Sequence, residues 1–468
     1  MAEKQATSLR ESKTARWTVL ILVSFTMMCM YYLTDAMAPL QDGLQRKLNW
    51  SASEYGLFTS GYGWFNVFLL MLLFGGMFLD KMGIRLTGII SIIVMLAGAF
   101  IKYLAINGYF GDGMGLHIGS LTFFGNTKTS AAMAGVGFAV FGVGCETFGI
   151  TANKAVVRWF KGKEMALAIG LNTSTGRIGT ALAMFTPIPL VKMTGNISFP
   201  VLLSLFLLCV GLLVFILFTV MDKKLDKEDI DAGIQQNDEF RFSDILDISK
   251  NKAFWLITIL CVLFYSAVFP FIKYAVSLMQ QKFQISDDFA GYIPALLPLA
   301  ALFLTPFFGS LYDKKGKGAT IMIIGSVILL VVHLLFSIPS LNSLPVAIGL
   351  VALLGIGFSL VPSAMWPSVA KIIPEKKLGT AYALTFFVQN WGLMGVPLLI
   401  GWVLDKYCIT GTVTKMVEGK EETYIQYNYT IPMLIFACFG FLAIFFAFML
   451  KMEDRKKGYG LEKPNIKH

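Results

Sequence analysis

Long apolar runs separated by short polar clusters fill almost the whole chain. A helix needs about 20 such residues to cross the hydrocarbon of a bilayer. Runs of that length lie near 17–39, 54–79, 86–106, 131–157, 165–191 and 198–221, and again near 253–280, 288–312, 319–340, 345–370, 378–405 and 429–450. The stretch from Asp222 to Lys252, rich in Lys, Asp, Glu and Gln, is the one long polar interval. The pattern predicts an all-α membrane protein of twelve transmembrane helices: a first six-helix bundle at 17–221, a linker at 222–252 and a second bundle at 253–450, between polar tails at 1–16 and 451–468. Inside the linker, Phe240 to Leu246 is amphipathic, which predicts a short helix along the membrane surface. The first tail runs into a full-length apolar stretch with no small-residue cleavage site, so it reads as a retained tail.

The two halves repeat each other, as the halves of membrane carriers often do. Gly76-Met77-Phe78-Leu79-Asp80-Lys81-Met82-Gly83-Ile84-Arg85 follows the second run, and Gly309-Ser310-Leu311-Tyr312-Asp313-Lys314-Lys315-Gly316-Lys317 follows the eighth. Both read GxxxDKxG. A second pair, Gly142-Val143-Gly144 in span four and Gly355-Ile356-Gly357 in span ten, recurs at a shorter separation in the second half. The first half therefore carries an insertion of about twenty residues, assigned to the Gly-rich loop 107–130. Glycine tolerates the positive φ of a tight turn, and an aspartate accepts hydrogen bonds from a helix N-terminus or a basic side chain. Gly76, Asp80, Gly83 and Arg85, with Gly309, Asp313 and Gly316, are thus candidates for a gate that latches one face of the molecule. One copy would pass for a solvated turn; duplication favours the latch.

Composition supports lipid as the solvent, with 56% hydrophobic and 15% charged residues where soluble domains carry about 25% charged. The formal charge of +10 does not point to nucleic acid, because the basic residues sit in short clusters between apolar runs. They set orientation instead. With the N-terminus in the cytoplasm, the loops and tails on that side collect roughly 27 Lys and Arg against about seven opposite, as the positive-inside rule requires. The six cysteines lie mostly inside apolar runs without CxxC spacing, and His117, His333 and His468 are far apart, so neither disulfides, metal nor cofactor is expected. No GK[ST] phosphate loop supports ATP-driven work, and no nucleophile–base set suggests an enzyme.

Two charges fall in the middle of the membrane. Glu146 precedes Arg158 by about twelve residues on one helix and Arg177 follows Glu164 by about thirteen on the next, so at about 1.5 Å per residue they share a depth. Each costs roughly 2.5–3.5 kcal/mol there on insertion scales, so both must face water, a ligand or each other. Two readings follow: an ion pair that locks spans four and five, or a clamp in which Arg177 takes a carboxylate and Glu146 an ammonium. Tyr265, Trp366, Tyr382, Gln389 and Asn390 are candidate walls and hydrogen-bond partners from the second half, the aromatic ones being equally suited to anchor the interface. Asp35, flanked by Tyr31, Tyr32 and Pro39, is either a proton-titrating gate or a solvated helix end, and Lys273 has the reach to snorkel to the headgroups.

The paired GxxxDKxG loops and the six-plus-six plan resemble the major facilitator superfamily, whose fold implies a substrate cavity between two bundles that opens alternately to each side. Three further stretches are similar to the family of major facilitator superfamily domain-containing protein 1, the lysosomal dipeptide transporter. They are Gly142-Val143-Gly144-Cys145-Glu146 with Arg158-Trp159-Phe160-Lys161-Gly162-Lys163-Glu164 and Gly176-Arg177-Ile178-Gly179; Tyr265 to Ile272; and Trp366-Pro367 with Leu378-Gly379-Thr380-Ala381-Tyr382 and Gln389-Asn390. The resemblance implies that Glu146 and Arg177 hold the two termini of a peptide, with Cys145 standing where the family has glycine.

The expected function is therefore a secondary carrier of small zwitterions, dipeptides foremost, working as a uniporter or coupled to protons through Glu146 or Asp35. An organic-anion or amino-acid carrier is the nearest alternative, and a transport-dead receptor or scaffold the alternative of another class. The expected partners are the substrate and the bilayer, with the chain a monomer. The family brings a glycosylated accessory subunit, for which this sequence has no sign of its own. The first tail lacks the acidic dileucine pattern of a lysosomal member, which favours a bacterial plasma membrane. Sequons at Asn49, Asn196 and Asn428 would be glycosylated only in a secretory pathway.

Overall fold

The computed structural model describes residues 9–118, 121–160, 163–231, 242–374, 377–417 and 420–465. Helix α1 (Lys13–Asp35) is capped by Ser12 and leads through a 3₁₀ turn (Ala38–Leu40) into the short α2 (Gln41–Lys47). α3 (Ala52–Phe68) opens on a capping box in which Ser51 and Glu54 bind each other's backbone N–H. α4 (Met71–Ile106) follows, then strands β1 (Met114–Ile118) and β2 (Leu121–Lys128). α5 (Thr129–Phe160), α6 (Met165–Phe185), α7 (Pro187–Thr194) and α8 (Phe199–Asp231) complete the first half. α9 (Phe242–Ser249) precedes α10 (Lys252–Gln281), α11 (Asp287–Ala290), α12 (Tyr292–Lys315), α13 (Gly318–Ser337), α14 (Leu344–Ile372) and α15 (Leu378–Tyr407). Strands β3 (Ile409–Val417) and β4 (Lys420–Tyr427) and helix α16 (Thr430–Lys457) end the order.

Ten of these helices are long and apolar enough to cross a membrane unaided, among the described residues. The run expected at 54–79 is an eleventh crossing in two pieces, bent by 61° between α3 and the start of α4, where Leu70 takes the left-handed conformation. Gly83, at φ 75°, turns α4 back into the third crossing. α6 is the twelfth, and its apolar content is diluted by Asn172, Thr173, Ser174, Thr175 and Arg177. α1, α3, α4, α5, α6 and α8 pack as one bundle, and α10, α12, α13, α14, α15 and α16 as the other; α3 meets α15 and α6 meets α12 across the seam.

Both tails lie at one face of this assembly, here the tail face, and both β-hairpins at the hairpin face. The hairpins are a departure from the all-helical expectation. The insertion at 107–130 pairs β1 with β2, Leu116 opposite Phe123, and the loop after α15 pairs β3 with β4 from Ile409–Tyr427 to Val417–Lys420. The second tail departs too. α16 continues to Lys457, and the chain then returns to the α12–α13 turn, where Leu461 is fully buried and its carbonyl accepts from Gly318 N at 2.9 Å. The Glu462 carboxylate caps α13 through Thr320 N and Oγ1 at 2.9 and 2.8 Å. The surface helix expected at Phe240–Leu246 is α9, with Phe240 and Arg241 outside the described residues. Lys377 binds Asp247 at 2.8 Å and Asp244 at 3.5 Å, and its hydrogen bond holds the Asp247 carboxyl below its ordinary value of 3.8.

The repeated loops use different partners. In the first, Arg85 reaches Asp226 at 2.5 Å and Asp222 at 3.7 Å, acids that Arg158 also binds, so the loop is tied to α8. The Asp80 side chain lies outside the described residues. In the second, Asp313 accepts from Asn465 Nδ2 at 2.6 Å, and Gly316, at φ 68°, lies where a Cβ would come within 2.5 Å of Glu462 O. Gly76, Gly83 and Gly309 face open space. These latch residues meet their own bundle or its tail.

Candidate functional site

Close helix packing brings the central charges together with their neighbours. On α5, a Cβ at Gly142 would lie 2.2 Å from Tyr62 O, so only glycine lets α3 come this near. Tyr62 then donates its hydroxyl to Glu146 Oε1 at 2.8 Å and touches Cys145 Sγ at 3.2 Å. On α6, Gly176 admits the Tyr31 ring, 2.7 Å from where its Cβ would be, which sets that ring beside Arg177.

Arg177 and Glu146 form no ion pair. Among the described residues the Arg177 guanidinium has neither a carboxylate nor a hydrogen-bond partner; it lies over the rings of Phe358, Phe269 and Tyr31 at 4.8, 5.6 and 5.8 Å. The rings stabilise its charge through their quadrupoles, by ~0.5–2 kcal/mol each at most, and leave the planar edge with its N–H donors unused. The reading in which the two charges merely lock spans four and five is therefore not the arrangement present. Glu146 is met instead by Tyr62 and, across the seam, by the Asn390 side chain. Asn390 is fully buried, accepts from Asn66 Nδ2 at 3.5 Å and donates to Phe386 O at 2.9 Å.

The remaining candidates form a wall in the second bundle. Tyr265 stacks on Phe269 at 5.0 Å and takes a hydrogen bond from Trp366 Nε1 at 3.3 Å. Trp366 packs on Phe386 at 4.9 Å and Tyr382 at 5.7 Å, and Tyr382 donates to Trp366 O at 3.1 Å. These aromatics pack on one another. Gln389 stands apart, its Oε1 facing Cys261 Sγ of α10 at 3.5 Å. Tyr62, Phe358, Phe269 and Asn66 carry contacts that the sequence pattern did not single out. Asn66, an amide in mid-span, was the one visible signal.

Asp35 is not a solvated helix end, nor does Lys273 snorkel. The two pair at 2.5 Å, with side chains 10% and 12% exposed, and Lys273 also donates to Thr34 O at 2.7 Å. Other contacts join the bundles at this face: Ala52 N and Ser53 N bind Asp405 at 2.9 and 2.6 Å, Ser277 binds Asp42 at 2.7 Å, and Lys192 binds Asp288 at 2.6 Å. The hairpin face is bolted across the seam, whereas the Arg85, Arg158 and Lys252–Glu453 pairs of the tail face stay within one bundle.

Comparison with known proteins agrees with this architecture. A sequence profile of the Major Facilitator Superfamily matches residues 20–397. The chain belongs to this superfamily. Among curated relatives, the lysosomal dipeptide transporter MFSD1 of Homo sapiens is 30% identical over 409 residues, covering 83% of this chain and 80% of its own. The same transporter of Danio rerio is 28% identical over 404 residues, with 83% and 81% covered. The inner membrane transport protein YdiN of Escherichia coli matches more weakly, 26% over 164 residues, 34% of this chain and 38% of its own. Among solved structures, a bacterial homologue of the human lysosomal transporter Spinster in an inward-facing, occupied conformation superposes with a TM-score of 0.66 at 15% identity, over 95% of this chain and 98% of that one. The nucleoside transporter NupG gives 0.63 at 16% identity, over 92% and 99%. The protein is thus a multi-pass membrane protein of a superfamily of transporters.

Proposed function

We propose that the chain carries dipeptides across the membrane by alternating access, with its tail face in the cytoplasm. The observation that supports this reading most is that Glu146 and Arg177, at one depth and on neighbouring helices, do not neutralise each other. Each keeps a charged edge for a ligand: Arg177 a guanidinium fork seated on aromatic rings, Glu146 a carboxylate oriented by Tyr62 and Asn390. A dipeptide zwitterion supplies the complement of both, a carboxylate for the fork and an ammonium for Glu146. Tyr265, Trp366 and Tyr382 then face its side chains. The likeness to the lysosomal dipeptide transporters lends the same cargo.

Uptake of a labelled dipeptide into proteoliposomes tests the reading. Free dipeptides compete, and N-acetylated ones compete at least ~10-fold more weakly if Glu146 takes the ammonium. Equal competition by both would favour an organic-anion cargo, since Arg177 alone would suffice; no uptake of any solute would favour a receptor. For proton coupling, Glu146 has no cation paired with it among the described residues while Asp35 is committed to Lys273, so an imposed pH gradient would act through Glu146. The membrane of origin is proposed to be a bacterial plasma membrane.

A further inference from the structure

Lys102 has no part in the site just described, yet it is fully buried in α4. Its ammonium stands 3.5 Å from Leu33 O and over the rings of Phe138 and Phe58 at 4.3 and 5.0 Å, and no carboxylate pairs with it among the described residues. A buried ammonium with a carbonyl but no carboxylate to meet it is an expensive feature, and its surroundings indicate what it is kept for. The carbonyl it approaches is in the last turn of α1, where the carbonyls lack helical partners and the dipole is negative. Lys273 binds the same turn, at Thr34 O and Asp35, and faces the same Phe138 ring at 5.7 Å. Two lysines therefore approach one helix end and one aspartate, and Asp35 is paired with only one of them.

The two differ in which bundle carries them. Asp35 on α1, Lys102 on α4 and Phe138 on α5 belong to the first bundle and move together, whereas Lys273 on α10 belongs to the second. When the bundles part at the hairpin face, Lys273 leaves and Lys102 stays. We propose that Lys102 is the alternate counter-ion of Asp35: the carboxylate is held by Lys273 while the hairpin face is shut and passes to Lys102 when it opens. The exchange removes the penalty of leaving Asp35 uncompensated in the open form, and it lets a buried bolt be drawn in each cycle. It rests on the alternating access proposed above.

Single-molecule energy transfer between dyes at Tyr109→Cys and Leu344→Cys, exposed positions on the hairpin side of the two bundles, reads opening directly once the exposed thiols are removed by Cys209→Ser and Cys438→Ser. Lys273→Met should shorten the shut dwells, while Lys102→Met should shorten the open dwells, by about 5–150-fold if the coupling is of ordinary size, and leave the shut dwells within a factor of about two. Lys102→Arg should restore the open dwells. In an Asp35→Asn background Lys102→Met should lose its effect on them. The exchange is overturned if Lys102→Met acts equally with and without the Asp35 carboxylate, or lengthens the open dwells. Should Lys102→Met fail to fold, Lys102→Gln carries the same comparison. Absence of any opening in every variant, with or without dipeptide, would remove alternating access itself, a different result from opening that ignores Lys102.

Discussion

Tyr62 gives Glu146 its orientation, and its hydroxyl is a donor whose loss has a defined cost. A hydrogen bond to a charged acceptor contributes about 1.5–3 kcal/mol, so Tyr62→Phe should weaken dipeptide binding by roughly 10- to 100-fold while leaving Arg177 undisturbed, measured by titration calorimetry. Asp222 offers a stability counterpart. Its side chain is 1% exposed and accepts from Arg158 at 3.1 Å and Trp159 Nε1 at 2.9 Å, so Asp222→Ala leaves the buried Trp159 donor without its acceptor and Arg158 with Asp226 as its remaining carboxylate. A loss of about 1–3 kcal/mol is expected, read as a fall in the midpoint of thermal unfolding. At this scale the sequence exposed Glu146 and Arg177, because a charge inside an apolar run is conspicuous. It hid their companions. Phe358 and Phe269 are two of 40 phenylalanines, and nothing in a run of apolar residues says which ring will lie beneath a guanidinium. Lys273 looked like a snorkelling side chain because its partner Asp35 is 238 positions away.

At the scale of elements, glycine and the chain ends decide geometry. Gly142 holds α5 against α3, so Gly142→Val should push the helices apart, separate Tyr62 from Glu146 and lower transport more than Tyr62→Phe does, while the protein still inserts. The return of the chain after α16 pins the second repeated loop. Replacing the plug by Leu461→Asp should release that segment and raise hydrogen exchange at Lys317 and Gly318, whose amides bind Glu462 O and Leu461 O. α9 is held in part by Asp247, whose carboxyl Lys377 keeps below 3.8. A depressed carboxyl pKa stabilises the tethered form above its ordinary value and loses that contribution as pH falls through the lower one. The Lys377–Asp247 tether should therefore persist at neutral pH and weaken below about pH 3.8, and Lys377→Ala should remove it at any pH, followed by fluorescence of a dye on α9. The crossings themselves were legible, since twenty apolar residues in a row leave little choice. The break at Leu70 was not, for no proline or glycine marks it. Nor were the hairpins, whose strands are too short and too mixed to stand out beside the spans.

For the whole molecule, the repeat and the polar interval after the sixth span foretold two bundles, and the superfamily match agrees. Which face is shut is a property of the assembly. The Asp35–Lys273, Asp405–Ser53 and Lys192–Asp288 contacts bolt the hairpin face, and no local pattern announces them. In the proposed cycle Glu146 and Arg177, left free of each other, receive opposite ends of one zwitterion. The most direct test is thermal unfolding of the detergent-purified protein with free dipeptides, free amino acids and N-acetylated dipeptides, repeated on Glu146→Gln and Arg177→Ala. A ligand at about 100 times its Kd adds about 2.7 kcal/mol of stability. Stabilisation by free dipeptides that is lost on acetylation and in both variants is the expected result. A well-folded protein that no dipeptide stabilises, or one stabilised equally after either substitution, would contradict the proposed clamp.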